Sequence, residues 1–118
     1  MQAVVTAHQA FSASHMIPNH STCGHLHGHD WDIAVSLTGE ISPKTGMVTD
    51  HGLLVMALQD LCREFDRRDL NAMLPGVLPS PEGLAPYIRE RLAMQFPTIT
   101  TVTVSCGLYA AQVQWSLR

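Results

Sequence analysis

An α+β fold follows from three features of the 118-residue sequence. Two segments with strand alternation open the chain, two stretches with helical spacing fill its middle, and a pair of β-branched runs closes it. Two adjacent strands at the start favour an antiparallel pair. The order ββααββ then predicts a four-stranded antiparallel sheet with both helices on one face.

The opening stretch "AVVTAHQAFSASH" is rich in β-branched and small residues, and its odd positions Val5, Ala7, Phe11, Ala13 and His15 would share one strand face. A polar loop, "MIPNHSTCG", separates it from "HLHGHDWDIAVSLTGE". There Trp31, Ile33, Val35 and Leu37 alternate with Asp32, Ser36 and Thr38, the signature of a strand buried on one side. After a turn in "SPKTGMVTD", Asp50 is placed to cap a helix whose stripe is Leu54, Leu58, Leu61 and Phe65. His51 falls in its first turn, and Cys62 reads as helix packing. "DRRDLNAMLPGVLPS" reads as loop. Ser80, Pro81 and Glu82 then mark a second helix start, with cap, proline at the first helical position and an early acid. Its stripe is Leu84, Ile88, Leu92 and Phe96, and Pro86 is expected to bend it. "TITTVTVSCGLYAAQVQWSL" reads as two strands turning around Gly107.

A chain of 118 residues suits a single domain spanning 1–118, with no repeat or linker to divide it. Composition excludes several functions. The net charge of −3 and a single lysine, Lys44, argue against a nucleic-acid backbone partner, which needs clustered basic residues. No apolar run is long enough to cross a membrane. The segment "MQAVVTAHQAF" has neither a basic leader nor a signal-type apolar block, so a cytoplasmic location is expected. Cys23, Cys62 and Cys106 are an odd number of cysteines, and disulfides are not expected.

The chemistry concentrates in "TCGHLHGHDWDIAVSLTG", residues 22–39. His27 and His29 lie two apart on one strand, so both imidazoles project from the same face with Cβ atoms roughly 6–7 Å apart. A third ligand would come from His15, at the end of the neighbouring strand and on its matching face. Three imidazoles with an open fourth position make a catalytic type of zinc site. The plainer reading, histidines as polar filler at a strand entrance, suits a lone histidine better than this set. His20 and His25 gain no such support. Cys23, four residues before His27, would either close the site as a fourth ligand or act as a base with a lowered pKa. Spacing alone leaves both roles open.

The segments "FSASH" (11–15), "CGHLHGH" (23–29), "GMVTDHGLL" (46–54), "DRRDLN" (66–71) and "PSPEGLA" (79–85) occur in the order of the 6-pyruvoyltetrahydropterin synthase and 6-carboxytetrahydropterin synthase family, which the chain resembles over nearly its whole length. The resemblance implies the tunnelling fold, in which ββααββ subunits assemble into an oligomeric barrel, usually a homohexamer built as a dimer of trimers. It implies a small-molecule substrate, 7,8-dihydroneopterin triphosphate or a related pterin, from which triphosphate is eliminated while the side chain rearranges. It implies zinc on His15, His27 and His29, with Cys23 as the proton-abstracting base.

Two positions depart from the family pattern. Its Asp-His pair is matched by Asp66 and Arg67, and an arginine, always protonated, cannot relay a proton. It could pair with Asp66 or hold a substrate phosphate bidentately. The glutamate that binds the amino-pyrimidine edge of the pterin falls on Cys106, with Ser105 the second candidate for that place; a thiol is a poor acceptor there. Glu82 matches a glutamate of the family at the start of the second helix and joins Arg67 and Cys106 as a substrate-binding candidate. These departures carry the alternative expectation, a family member that binds zinc and a pterin-like ligand without the standard reaction.

Overall fold

The computed structural model describes residues 1–19 and 24–107, together with the backbone of 112–116. Strands β1 (Gln2–His15) and β2 (His27–Glu40) form a 14-pair antiparallel ladder that runs without a break from Gln2 opposite Glu40 to His15 opposite His27. Helix α1 spans His51–Phe65. A two-residue strand β3 (Arg68–Asp69) and a one-turn helix α2 (Leu70–Met73) follow. Helix α3 covers Pro81–Ala93, and strands β4 (Ile99–Cys106) and β5 (Gln112–Ser116) complete the sheet in the order β3-β1-β2-β4-β5.

The expected four-stranded antiparallel sheet is present as β1, β2, β4 and β5, with a parallel two-residue addition, β3, on the edge of β1. That addition and α2 arise inside a segment whose sequence reads as loop. Their local signal is weak, and the residues just before them fasten the segment to β1: the Arg67 amide donates to the Ser12 carbonyl, and the Asp66 carboxylate accepts from the Ser12 amide at 2.9 Å.

The alternation read from the sequence fixes which face is buried. Ala7, Phe11, Ala13 and His15 of β1 and Trp31, Ile33, Val35 and Leu37 of β2 all turn inward. The helices lay Leu54, Leu58, Leu61 and Phe65, then Leu84, Ile88 and Leu92, onto the same core. At roughly 1.5–3 kcal/mol for each large apolar side chain buried, this shared core dominates the stability of the fold. Caps stop the helices where the sequence places them. Asp50 accepts from the Gly52 amide at 2.9 Å, and Ser80 accepts from the Gly83 amide at 3.1 Å. No helix among the described residues is long and apolar enough to cross a membrane.

Candidate metal centre

The in-register hairpin delivers the first two histidines. Because His15 is directly opposite His27, its ring comes to lie over the pair formed by His27 and His29. Ring centroids are 4.5 Å apart for His15 and His27, 4.6 Å for His27 and His29, and 5.1 Å for His15 and His29. One nitrogen from each ring lies within 4.8 Å of the other two, the spacing that a single ion would bridge. Trp31 forms the floor, with its ring edge-on to His15 at 5.0 Å and its indole N–H donating to the Ala13 carbonyl at 3.3 Å.

Backbone carbonyls set how two of the rings face. His15 Nδ1 lies 2.7 Å from the Pro79 carbonyl oxygen, and His27 Nδ1 lies 2.6 Å from the His25 carbonyl oxygen. A neutral imidazole that donates from Nδ1 presents a lone pair at Nε2, the state a metal requires. His15 is 3% exposed, and its Nε2 is buried without a hydrogen-bond partner. A buried polar nitrogen left so would cost a few kcal/mol, and an ion at the centre of the triad satisfies it. Burial, opposed by the bond to Pro79 and reinforced by His27 and His29, lowers the pKa of His15. Burial and then His27 lower that of His29. Both shifts favour neutral rings ready to coordinate. The donor set therefore fits a divalent metal of the borderline type.

The remaining predicted site residues are distributed unevenly. Cys106 ends β4 directly opposite Trp31, half-buried on the same face of the sheet as the histidines. Arg67 sits in the left-handed region, φ 60°, with its side chain 91% exposed. It shares an open depression of about 510 Å³ with Ser12, Ser14, His29, Asp30 and Arg68. Asp66 caps α1 and lines a separate depression with Gln59, Cys62 and Arg63. Its carboxylate reaches Arg67 Nε only at 4.0 Å. Glu82 is exposed in the first turn of α3, and His51 is the exposed first residue of α1. Cys23 lies outside the described residues. Cys62 is 3% exposed, and burial, with Asp66 nearby, pushes its thiol up to about 12, which leaves it an inert packing residue. Sequence reasoning missed Pro79 and the backbone of His25. Both act through main-chain oxygens, which no residue identity announces.

A profile of the family described as 6-pyruvoyl tetrahydropterin synthase matches residues 4–107. The chain belongs to this family. A protein of Archaeoglobus fulgidus provisionally named 6-carboxy-5,6,7,8-tetrahydropterin synthase is 29% identical over 104 residues, covering 88% of each chain. The dihydroneopterin monophosphate aldolase of Pyrococcus furiosus is 31% identical over 97 residues, covering 82% of this chain and 81% of its own. Human 6-pyruvoyl tetrahydrobiopterin synthase is 28% identical over 113 residues, covering 81% of this chain and 78% of its own. Among solved structures, the 6-pyruvoyl tetrahydropterin synthase of Caenorhabditis elegans superposes with a TM-score of 0.88 at 20% identity, over 100% of this chain and 97% of that one. That likeness identifies the fold as the tunnelling fold of these synthases. The relatives carry three reaction names, so similarity places this pterin synthase family member in its family without choosing among the reactions.

Proposed function

We propose that the chain is a zinc-dependent lyase of the pterin synthase family, acting on 7,8-dihydroneopterin triphosphate or a related pterin. The observation that carries this reading is the convergence of His15, His27 and His29, together with the buried, unpartnered Nε2 of His15. Bound zinc would supply Lewis acidity, polarising a side-chain oxygen of the substrate and acidifying the adjacent C–H. His15, His27 and His29 would hold it. Cys23, as thiolate, takes the proton from that carbon and returns it to the neighbouring one. Asp66 has the place of the carboxylate that assists the cysteine. Arg67, on the rim of the depression that His29 also lines, carries a fixed positive charge suited to a substrate phosphate. Cys106, on the ligand face, takes the place of the pterin-anchoring glutamate, and Glu82 at the start of α3 is assigned to substrate binding.

A second reading is favoured by two specific residues. With Arg67 and Cys106 where the family carries histidine and glutamate, the chain would keep the metal and a pterin-like ligand without the standard reaction. The working form in either reading is a cytoplasmic homohexamer. Incubation of zinc-replete protein with 7,8-dihydroneopterin triphosphate, followed by mass analysis, separates the two. Triphosphate release with a rearranged or shortened side chain, lost in Cys23→Ala with metal retained, supports the enzyme. No product at full zinc occupancy leaves the binding protein.

A further inference from the structure

Gly107 follows the last residue of β4, in the left-handed region with φ 65°, and its amide donates to the Asp30 carbonyl at 2.8 Å. That bond draws the end of β4 against β2 one residue past His29. A Cβ built on Gly107 would overlap His29 Nδ1 and lie 2.9 Å from Cε1 and 3.1 Å from Cγ. Real Cβ atoms do not approach a ring so closely, so the imidazole rests against the bare backbone of this one residue. The left-handed conformation alone would admit asparagine as well as glycine. The ring contact discriminates further: any side chain here would force the His29 ring out of its place.

We infer that Gly107 is a positioning residue of the metal centre: its missing side chain creates the slot that holds the His29 imidazole in register with His15 and His27. His15 and His27 each have a backbone carbonyl on Nδ1 to fix the ring. Gly107 adds a steric constraint on the third ring, along its Nδ1 edge. The inference rests on the triad holding a metal, and it adds a residue outside the ligand set on which affinity depends.

The test is a pair of substitutions, Gly107→Ala and Gly107→Asn, in full-length protein. Cobalt(II) is the spectroscopic probe and zinc content the measure of affinity. Both variants are expected to bind zinc at least tenfold more weakly, the size of effect seen when groups that orient a ligand are removed. Their cobalt absorption bands should also be altered. Wild-type affinity and spectrum in Gly107→Ala, or full recovery in Gly107→Asn, would overturn the assignment and leave Gly107 a simple turn residue. A stability cycle covers a variant that folds poorly. In a His29→Ala background the ring is gone, so Gly107→Ala should cost clearly less thermal stability than in wild type. An equal cost in both backgrounds, or failure to fold in both, overturns the inference. If wild-type protein binds no metal, the metal reading fails on its own, and the cycle still decides the contact.

Discussion

The Nδ1 atom of His15 lies 2.7 Å from the carbonyl oxygen of Pro79, sixty-four residues away in sequence. This bond ties the end of β1 to the segment that precedes α3 and leaves Nε2, buried without a hydrogen-bond partner, as the nitrogen available to a metal. The ring it holds is the most buried of the triad. His15→Ala is therefore expected to abolish stoichiometric zinc, read by elemental analysis of dialysed protein. Full metal retention would sink the triad assignment.

Stability without metal should depend on pH in a defined direction. The folded pKa values of His15 and His29 are lowered from the ordinary 6.5, so the unfolded chain binds protons that the folded chain does not. Stability is then full above about 6.5 and declines as pH falls below it toward the folded values. Urea midpoints of metal-free protein at pH 7.5 and 5.5 should differ in that sense. The difference should shrink in a His15→Ala, His29→Ala double variant. A midpoint that rises on acidification would contradict burial as the cause of the shifts.

Gly83 packs closely against the backbone of Leu78, the residue before the Pro79 whose carbonyl holds His15. A Cβ on Gly83 would overlap the Leu78 carbonyl oxygen and come within 3.1 Å of its carbon, both backbone atoms that cannot rotate away. Gly83→Ala, normally helpful by about 0.5–1 kcal/mol within a helix, should instead lower the melting temperature. It should also weaken zinc binding by shifting the 78–80 segment. Ser80→Ala, which removes only the cap, should cost about 1 kcal/mol and leave metal affinity near wild type.

Cys106 faces the ligand side of the sheet opposite Trp31, so restoring a carboxylate there is a direct test of pterin recognition. Cys106→Glu is expected to tighten binding of sepiapterin about tenfold or more, since a charge-assisted hydrogen bond contributes roughly 1.5–3 kcal/mol. Fluorescence titration reads this. Unchanged affinity would mean that the ligand's amino edge lies elsewhere or that the ligand is not a pterin.

Arg67 has φ 60°, a conformation that costs a side-chain-bearing residue of order 1 kcal/mol. Arg67→Gly should leave the melting temperature equal or slightly raised. If the guanidinium holds a substrate phosphate, the same variant should lose affinity for inorganic tripolyphosphate, measured by calorimetry. A marked loss of stability would instead make Arg67 a structural residue whose side chain offsets the strain.

What the sequence determined by itself was local. Strand parity repeats every two residues, so it placed His27, His29 and Trp31 on one face before any pairing was known, and put Ala13 and His15 on the matching face of β1. Helical spacing and the caps Asp50 and Ser80 were equally legible, because each acts within one turn. Only the tertiary structure decided that His15 meets His27, because an unbroken 14-pair register is a property of two strands together. It alone gave His15 its partner Pro79, because a carbonyl oxygen has no letter in the sequence. It alone revealed the left-handed turn at Arg67, where no glycine marks the conformation and hydrogen bonds to Ser12 impose it. Gly107 combines the two. Its turn could be read from the letter, whereas the ring it accommodates is supplied by a strand almost eighty residues earlier and met only in the folded sheet.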